Sequence, residues 1–220
     1  MTHHAFDFHG HHLHARAGGT LWWPAMRLLA VGDLHFGKAQ RAARVGGGLL
    51  PPYEMAETLA RLDAEVAATD PAIVVALGDS FDDPEAEARM RDADAMWLSR
   101  LMAGREWVWV AGNHDPGPVE TGGSLRAEWR QGGLAFRHIA TLATPEISAH
   151  YHPKARLAGT ARPCFLIDAH RVILPAFGAF TGGLDIRRPP LAGLMAPGAV
   201  AVLTGTRARP IPLPRQKLQA

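Results

Sequence analysis

Four short groups of side chains could hold a metal ion: Asp33-Leu34-His35, Gly78-Asp79, Gly112-Asn113-His114 and His150-Tyr151-His152. A further imidazole, His138, lies between the last two. Each group sits at the end of a run that reads as a strand: 28–31, 73–77, 107–110, 134–138 and 146–149. An amide oxygen is a poor ligand alone, but it is a useful one beside carboxylates and imidazoles on a divalent cation. Seven candidate ligands follow, namely Asp33, His35, Asp79, Asn113, His138, His150 and His152. The mix of carboxylate, imidazole and amide suits Mn²⁺, Fe or Zn²⁺, and it is too rich in nitrogen for Mg²⁺ or Ca²⁺ alone. A four-thiolate zinc site is excluded, because Cys164 is the single cysteine. The set is large enough for two ions. Two metals roughly 3.5–4 Å apart, bridged by a carboxylate and a hydroxide, suit in-line attack at phosphorus. The chemistry expected is hydrolysis of a phosphoester.

Such ligands need rigid elements behind them. Met55, Leu59, Leu62 and Val66 recur at helical spacing and predict a helix over 53–68, stopped by Asp70-Pro71. Pro84 opens a second predicted helix to about Met102. Met90, Ala93, Met96, Trp97 and Leu101 are expected on its inner face, with Glu85, Glu87, Arg89, Arg91 and Asp92 solvated. Strands and helices alternate through residue 110, and strands dominate afterwards, apart from an expected short helix over 124–130. This order predicts an α/β fold, a two-layer β-sandwich flanked by helices (αββα). Ala169-His170 reads as a two-residue turn between strands 165–168 and 171–174. The histidine-rich start (His3, His4, His9, His11, His12, His14) alternates partly with Phe6, Phe8 and Leu13. It reads as an opening β-hairpin over 1–23 rather than a second metal site.

At 220 residues, 47% hydrophobic and 20% charged, the chain fits one domain. Its expected span is 1–204, followed by a basic, proline-containing mobile tail over 205–220. No apolar run approaches a membrane span and the N-terminus does not read as a signal peptide, so the cytoplasm is the default compartment. Cys164 is expected inside a buried strand. The net charge of +2 hides an asymmetry. Residues 1–138 carry 13 Lys and Arg against 18 Asp and Glu, whereas residues 139–220 carry 10 against 3. A basic C-terminal half suits an anionic partner or, equally, a solvated surface.

The ordered metal motifs resemble those of the calcineurin-like metallophosphoesterases. More narrowly, Gly78-Asp79-Ser80-Phe81, the stretch 107–116 around Gly112-Asn113-His114-Asp115-Pro116, and the stretch 174–184 resemble the bacterial ligase-associated DNA damage response endonuclease family (PdeM). The last stretch is the family-specific one. The resemblance covers roughly residues 20–190 and implies Asp33, His35 and His152 on one metal, with Asn113, His138 and His150 on the other. Asp79 would bridge the two ions, Mn²⁺ in the first instance. His114 would face the scissile phosphate and protonate the leaving oxygen. Asp82 is expected to orient His114, and Asp115 to brace the turn. Three departures stand out: Ala149 where the superfamily usually has Gly, Asp82 where a His commonly follows Phe81, and Ile139-Ala140 in place of Glu-Pro.

The implied activity is a phosphodiesterase or endonuclease on DNA, with Lys38, Arg187 and Arg188 as candidate phosphate contacts. DNA contact should be backbone-directed, with weak sequence preference. The resemblance also implies a ligase and a helicase as repair partners. A phosphatase or phosphodiesterase for small nucleotides would use the same centre. A scaffold that binds DNA or a partner without chemistry is a third reading, disfavoured because every ligand position and His114 are present.

Overall fold

The computed structural model describes residues 1–114 and 121–213. Its centre is a parallel run of three strands, β4 (Leu28–Val31), β5 (Ile73–Leu77) and β6 (Glu106–Val110), in the register Leu28, Ile73, Glu106. Every β4 residue is buried, and successive side chains face opposite ways. Leu28 and Ala30 join the core between two sheets. Leu29 and Val31 join a second core beneath the helices.

The helix α2 (Glu54–Thr69) lays Met55, Leu59, Leu62 and Val66 into that second core. It ends at Asp70, whose φ of +43° turns the chain away before Pro71. Outside β4 come three antiparallel strands: β1 (His3–Phe8), β2 (His11–Arg16) and β3 (Leu21–Trp23). The opening segment is therefore three strands, not a single hairpin. His9 and Gly10 both have positive φ and make the first reversal, and Gly18-Gly19 make the second.

The second sheet contains β9 (Leu134–Phe136), β10 (Glu146–Ser148) and β13 (Arg171–Ile173), with β10 parallel to both neighbours. β12 (Thr160–Ile167) pairs antiparallel with β11 (Pro153–Leu157) and β13, and β11 pairs parallel with β14 (Leu184–Asp185). β15 (Val200–Leu203) pairs with β12. Cys164 lies in β12, fully buried, with its thiol pushed up to about 12 by burial. The expected turn is observed: Asp168 N–H donates to Arg171 O across Ala169-His170. With helices on the first sheet's outer face and α4 (Leu191–Leu194) against the second's, the architecture is the expected layered α/β sandwich.

Several local expectations are corrected. The second helix, α3, covers only Asp92–Met102. Upstream, Ala86 is pinned over Gly37, where any Cβ would fall 2.7 Å from the Ala86 Cβ, and the Glu87 carboxylate accepts the Thr121 N–H. The inner face of α3 is Asp94, Leu98 and Leu101, whereas Ala93 and Met96 are exposed. Residues 124–130 form β7 (Ser124–Arg126), parallel to β6, and the start of β8 (Trp129–Gln131), rather than a helix. The left-handed Gly122 and Gly123 bend the chain back along β6 there. Within the expected tail, β16 (Arg209–Pro212) pairs with β15, and residues 214–220 lie outside the described residues. Among the described residues no helix is long and apolar enough to cross a membrane.

Candidate metal centre

Parallel pairing puts the C-terminal ends of β4, β5 and β6 on one edge of the first sheet, so their loops deliver Asp33, Asp79 and Asn113 together. The second sheet does the same for β9 and β10, which lead into His138 and His150. A bridge between Gly32 and Ala176 joins the two edges. The candidate ligands thus meet where two sheets end side by side.

Two triads result: Asp33, His35 and His152, and Asp79, His138 and His150. Within each, one ligand atom per residue lies within 4.8 Å of the others. In the first, His152 Nε2 is 3.4 Å from both Asp33 Oδ1 and His35 Nε2. In the second, His138 Nε2 is 3.0 Å from His150 Nδ1 and 3.4 Å from Asp79 Oδ2. Asn113 Oδ1 adds itself at 2.9 Å from His138 Nε2. The triads adjoin, with Asp33 Oδ1 3.7 Å from His138 Nδ1 and the His150 N–H donating to Asp33 Oδ2 (3.1 Å).

The donor set fits cations. His138 Nδ1 donates to Leu77 O (2.9 Å), which leaves Nε2 of the neutral ring with a lone pair. That lone pair faces an amide oxygen, a carboxylate and another imidazole. Acceptors converging in this way need either extra protons or a cation among them. Burial opposes ionisation of Asp79, yet His138, the His114 N–H and His35 hold its carboxyl below the usual carboxylate range. Burial lowers His138, but Asp79 and Asp33 outweigh it and raise this imidazole above its ordinary value. His150 is lowered, first by burial and then by His138.

The backbone is bent to make this arrangement. Asp33, His35, Asp79, His150 and His152 all have φ between +42° and +67°, half of the ten non-glycine residues in that region among those described. Left-handed backbone costs roughly 1–2 kcal/mol at each such residue. It persists only where the surroundings over-determine it, which is typical of functional sites. Gly78 is required beside them: a Cβ there would lie 2.4 Å from His138 Cγ. Ala149 is not left-handed, so the replacement of a glycine there carries no backbone strain. Gly32 makes the room instead, since a Cβ on it would lie 2.8 Å from the Ala149 Cβ.

Residues 26–162 match the model of the calcineurin-like phosphoesterase family. The chain belongs to that family. As a metallophosphoesterase it is an enzyme, of a family that uses divalent metals. A search of curated proteins finds no match. Among solved structures, the Pseudomonas putida nuclease MPE is similar at 31% identity and a TM-score of 0.76, over 95% of this chain and 100% of that one. The narrower resemblance to the ligase-associated endonucleases is in line with that match.

Around the phosphoesterase centre, the remaining predicted residues divide. His114 is half-buried in it, with its N–H donating to Asp79 Oδ1 (2.9 Å) and its ring 5.6 Å from that of His35. Asp82 does not orient His114, which corrects the expectation. Its Oδ1 is 2.8 Å from His35 Nδ1, and its Oδ2 accepts from Arg41 (3.3 Å). The bend after Phe81 turns this carboxylate toward the Asp33 loop, since Phe36 N–H donates to Ser80 O and Asp82 N–H to Phe36 O. Burial opposes ionisation of Asp82, but His35, Lys38 and Arg41 hold its carboxyl low.

Lys38 opens the short helix α1 (Lys38–Arg44), three residues past His35 and half-buried. Arg187 is held by Asp185 through two contacts (2.7 and 3.0 Å) and, with Arg188 and Arg156, lines a groove beside Gly183. That groove adjoins the first triad, because Leu184 N–H donates to His152 O (3.0 Å). Asp115 lies outside the described residues. Sequence reasoning missed Arg41, Arg156 and α1. An arginine after an Asp-x-His loop carries no signal until the helix that presents it is known.

Proposed function

We propose that this phosphoesterase hydrolyses DNA phosphodiester bonds, using two divalent ions with Mn²⁺ as the first candidate. Asp33, His35 and His152 would hold one ion, and Asn113, His138 and His150 the other, with Asp79 between them. The observation that carries the reading is the adjoining pair of triads in a pocket of converging lone pairs. Ions held there would polarise a phosphoryl oxygen and acidify water. The protein's own part is to fix that geometry and to manage one proton. The His114 backbone is clamped to Asp79, so its imidazole stays at the mouth of the centre, able to protonate the departing oxygen. His138 is held by Leu77 O in the tautomer that turns Nε2 inward.

DNA, rather than a small nucleotide, is favoured by the groove of Arg156, Arg187 and Arg188, whose Leu184 is bonded to His152 O, and by Lys38 at the start of α1, three residues past His35. A similar protein named a nuclease supports the same reading. A place in DNA repair, beside a ligase and a helicase, rests on the family resemblance alone. The test is digestion of defined single-stranded, nicked and duplex oligonucleotides with Mn²⁺, run beside a panel of cyclic nucleotides. Cleavage of DNA is expected, and His114→Ala should lower its rate about 10²–10⁴-fold while two Mn²⁺ per chain remain by metal analysis. Hydrolysis of cyclic nucleotides alone would refute the DNA reading. Absence of bound metal after Mn²⁺ loading would refute the enzyme mechanism.

A further inference from the structure

Two aromatic rings on segments bonded to the loops of the metal centre stand in water. Phe180 is 44% exposed, and its φ of +58° lies in the left-handed region, where a bulky side chain is strained. Tyr53 is 57% exposed and meets Phe180 edge to face, with ring centroids 6.3 Å apart. Both rings hang on backbone that is tied to the first triad. Gly178 N–H donates to Asp33 O (2.9 Å) and Leu184 N–H donates to His152 O (3.0 Å), so the loop carrying Phe180 spans two members of that triad. A Cβ on Gly178 would fall 2.2 Å from Leu34 O, which shows how closely the loop runs against the Asp33–His35 turn. Tyr53 immediately precedes Glu54, whose Oε1 accepts the Gly37 N–H (3.0 Å) two residues past His35.

A strained backbone that holds an apolar ring out of the core suits a site with a ligand to receive. Phosphoester chemistry next to it narrows what that ligand is. The flat apolar body attached to a phosphodiester is a nucleobase, every base has a π-face, and stacking on aromatic side chains tolerates any sequence. Cations for the attached phosphates lie on the same connected segments: Lys38 opens α1 one residue past Gly37, and Arg156 and Arg188 line the groove by Gly183, in the loop that carries Phe180. We propose that Tyr53 and Phe180 form a stacking subsite for a nucleobase next to the phosphate held at the metal centre. This rests on reading that centre as a phosphodiesterase.

Binding is measured first, in chelator, with a fluorescein-labelled oligothymidylate and an abasic oligomer of equal length and charge. The unsubstituted chain should prefer the base-bearing strand by roughly 5- to 100-fold. Phe180→Ala and Tyr53→Ala should each lose most of that preference while melting as cooperatively as the parent. Equal affinity of the parent for both oligomers, no binding of either, or a preference that survives both substitutions would overturn the subsite. The second measurement is kcat/KM with Mn²⁺ on thymidine 5′-p-nitrophenyl phosphate relative to bis-p-nitrophenyl phosphate. Phe180→Leu, which keeps apolar bulk without the ring, should lower that ratio. If neither ester is hydrolysed while the binding preference persists, the phosphodiesterase reading falls and the subsite stands. Hydrolysis with no dependence on the base sinks the subsite alone.

Discussion

Glu146→Gln should unfold this protein far more readily than any surface substitution. Glu146 is fully buried at the start of β10. Its Oε2 accepts from Arg137 Nη1 (2.9 Å), Thr141 N–H donates to both carboxylate oxygens, and Arg171 Nη1 lies 3.4 Å from Oε1. Arg137 keeps a second carboxylate, Glu128, but among the described residues Arg171 has no other. Removing one partner from a buried pair typically costs about 3–5 kcal/mol, because the remaining charge is left uncompensated. The Glu128 contact places the expected loss near the lower end, about 3 kcal/mol. At a urea slope of about 3 kcal/mol per molar, the unfolding midpoint should fall by roughly 1 M. Urea melts in chelator measure this without interference from bound metal. Because His138 follows Arg137 and His150 lies just beyond β10, Mn²⁺ affinity should fall in the same variant. A midpoint shift no larger than that of Glu85→Gln, which loses only the pairs of an exposed carboxylate with Arg89 and Arg44, would refute the reasoning.

Glu54 gives a pH signature: burial pushes its carboxyl up to about 7, against the pull of the Ala39 and Gly37 N–H groups. A folded-state pKa above the ordinary value means that the fold favours the protonated acid, so stability is lost as pH rises through 4.5 to 7. The loss is about 3 kcal/mol at most, and the melting temperature of Glu54→Gln should gain on the parent between pH 5 and 8; parallel profiles would remove the argument. Asp82→Asn should weaken binding of one of two Mn²⁺ ions by roughly 10- to 100-fold through loss of the carboxylate on His35 Nδ1. Calorimetry showing both affinities intact would mean that Asp82 serves Arg41 alone. Lys38→Glu should weaken DNA binding more at low salt than at high salt, by removing about one phosphate contact from the salt dependence. A loss equal at both salt concentrations would place Lys38 off the phosphate path.

The ligands were legible in the sequence because parallel strands announce themselves as apolar runs, and the residues after such runs share one edge. Asp33, Asp79, Asn113, His138 and His150 all follow that rule, and the structure brings them together. The sequence places Asp82 in the Asp79 loop but does not show that it meets His35 and not His114, because loop direction is invisible there. Only the ladder from Phe36 to Ser80 and Asp82 shows that the two loops zip together and aim the carboxylate at His35. The second helix starts later than its composition predicts for a related reason. Residues 84–90 have helical composition, but Ala86 and Glu87 are claimed by Gly37 and Thr121, and tertiary contact overrides propensity.

The five left-handed ligand residues connect fold to function most directly. At roughly 1–2 kcal/mol each, they cost a large share of the net stability of a domain this size, about 5–15 kcal/mol. Nothing in the two apolar cores requires that geometry, since the strands could end in relaxed turns and bury the same side chains. What requires it is the direction of the side chains. Positive φ after β4, β5 and β10 folds a carboxylate or imidazole back toward the seam between the sheets, where lone pairs crowd. A cation bound there would relieve the crowding and offset part of the backbone cost. Metal should therefore raise the melting temperature with the logarithm of its concentration over its dissociation constant, and in His138→Ala that dependence should flatten while the apo-state melting temperature rises or stays level. If apo stability falls instead by the several kcal/mol typical of a core truncation, His138 is a packing residue and its lone pair is no part of the crowding.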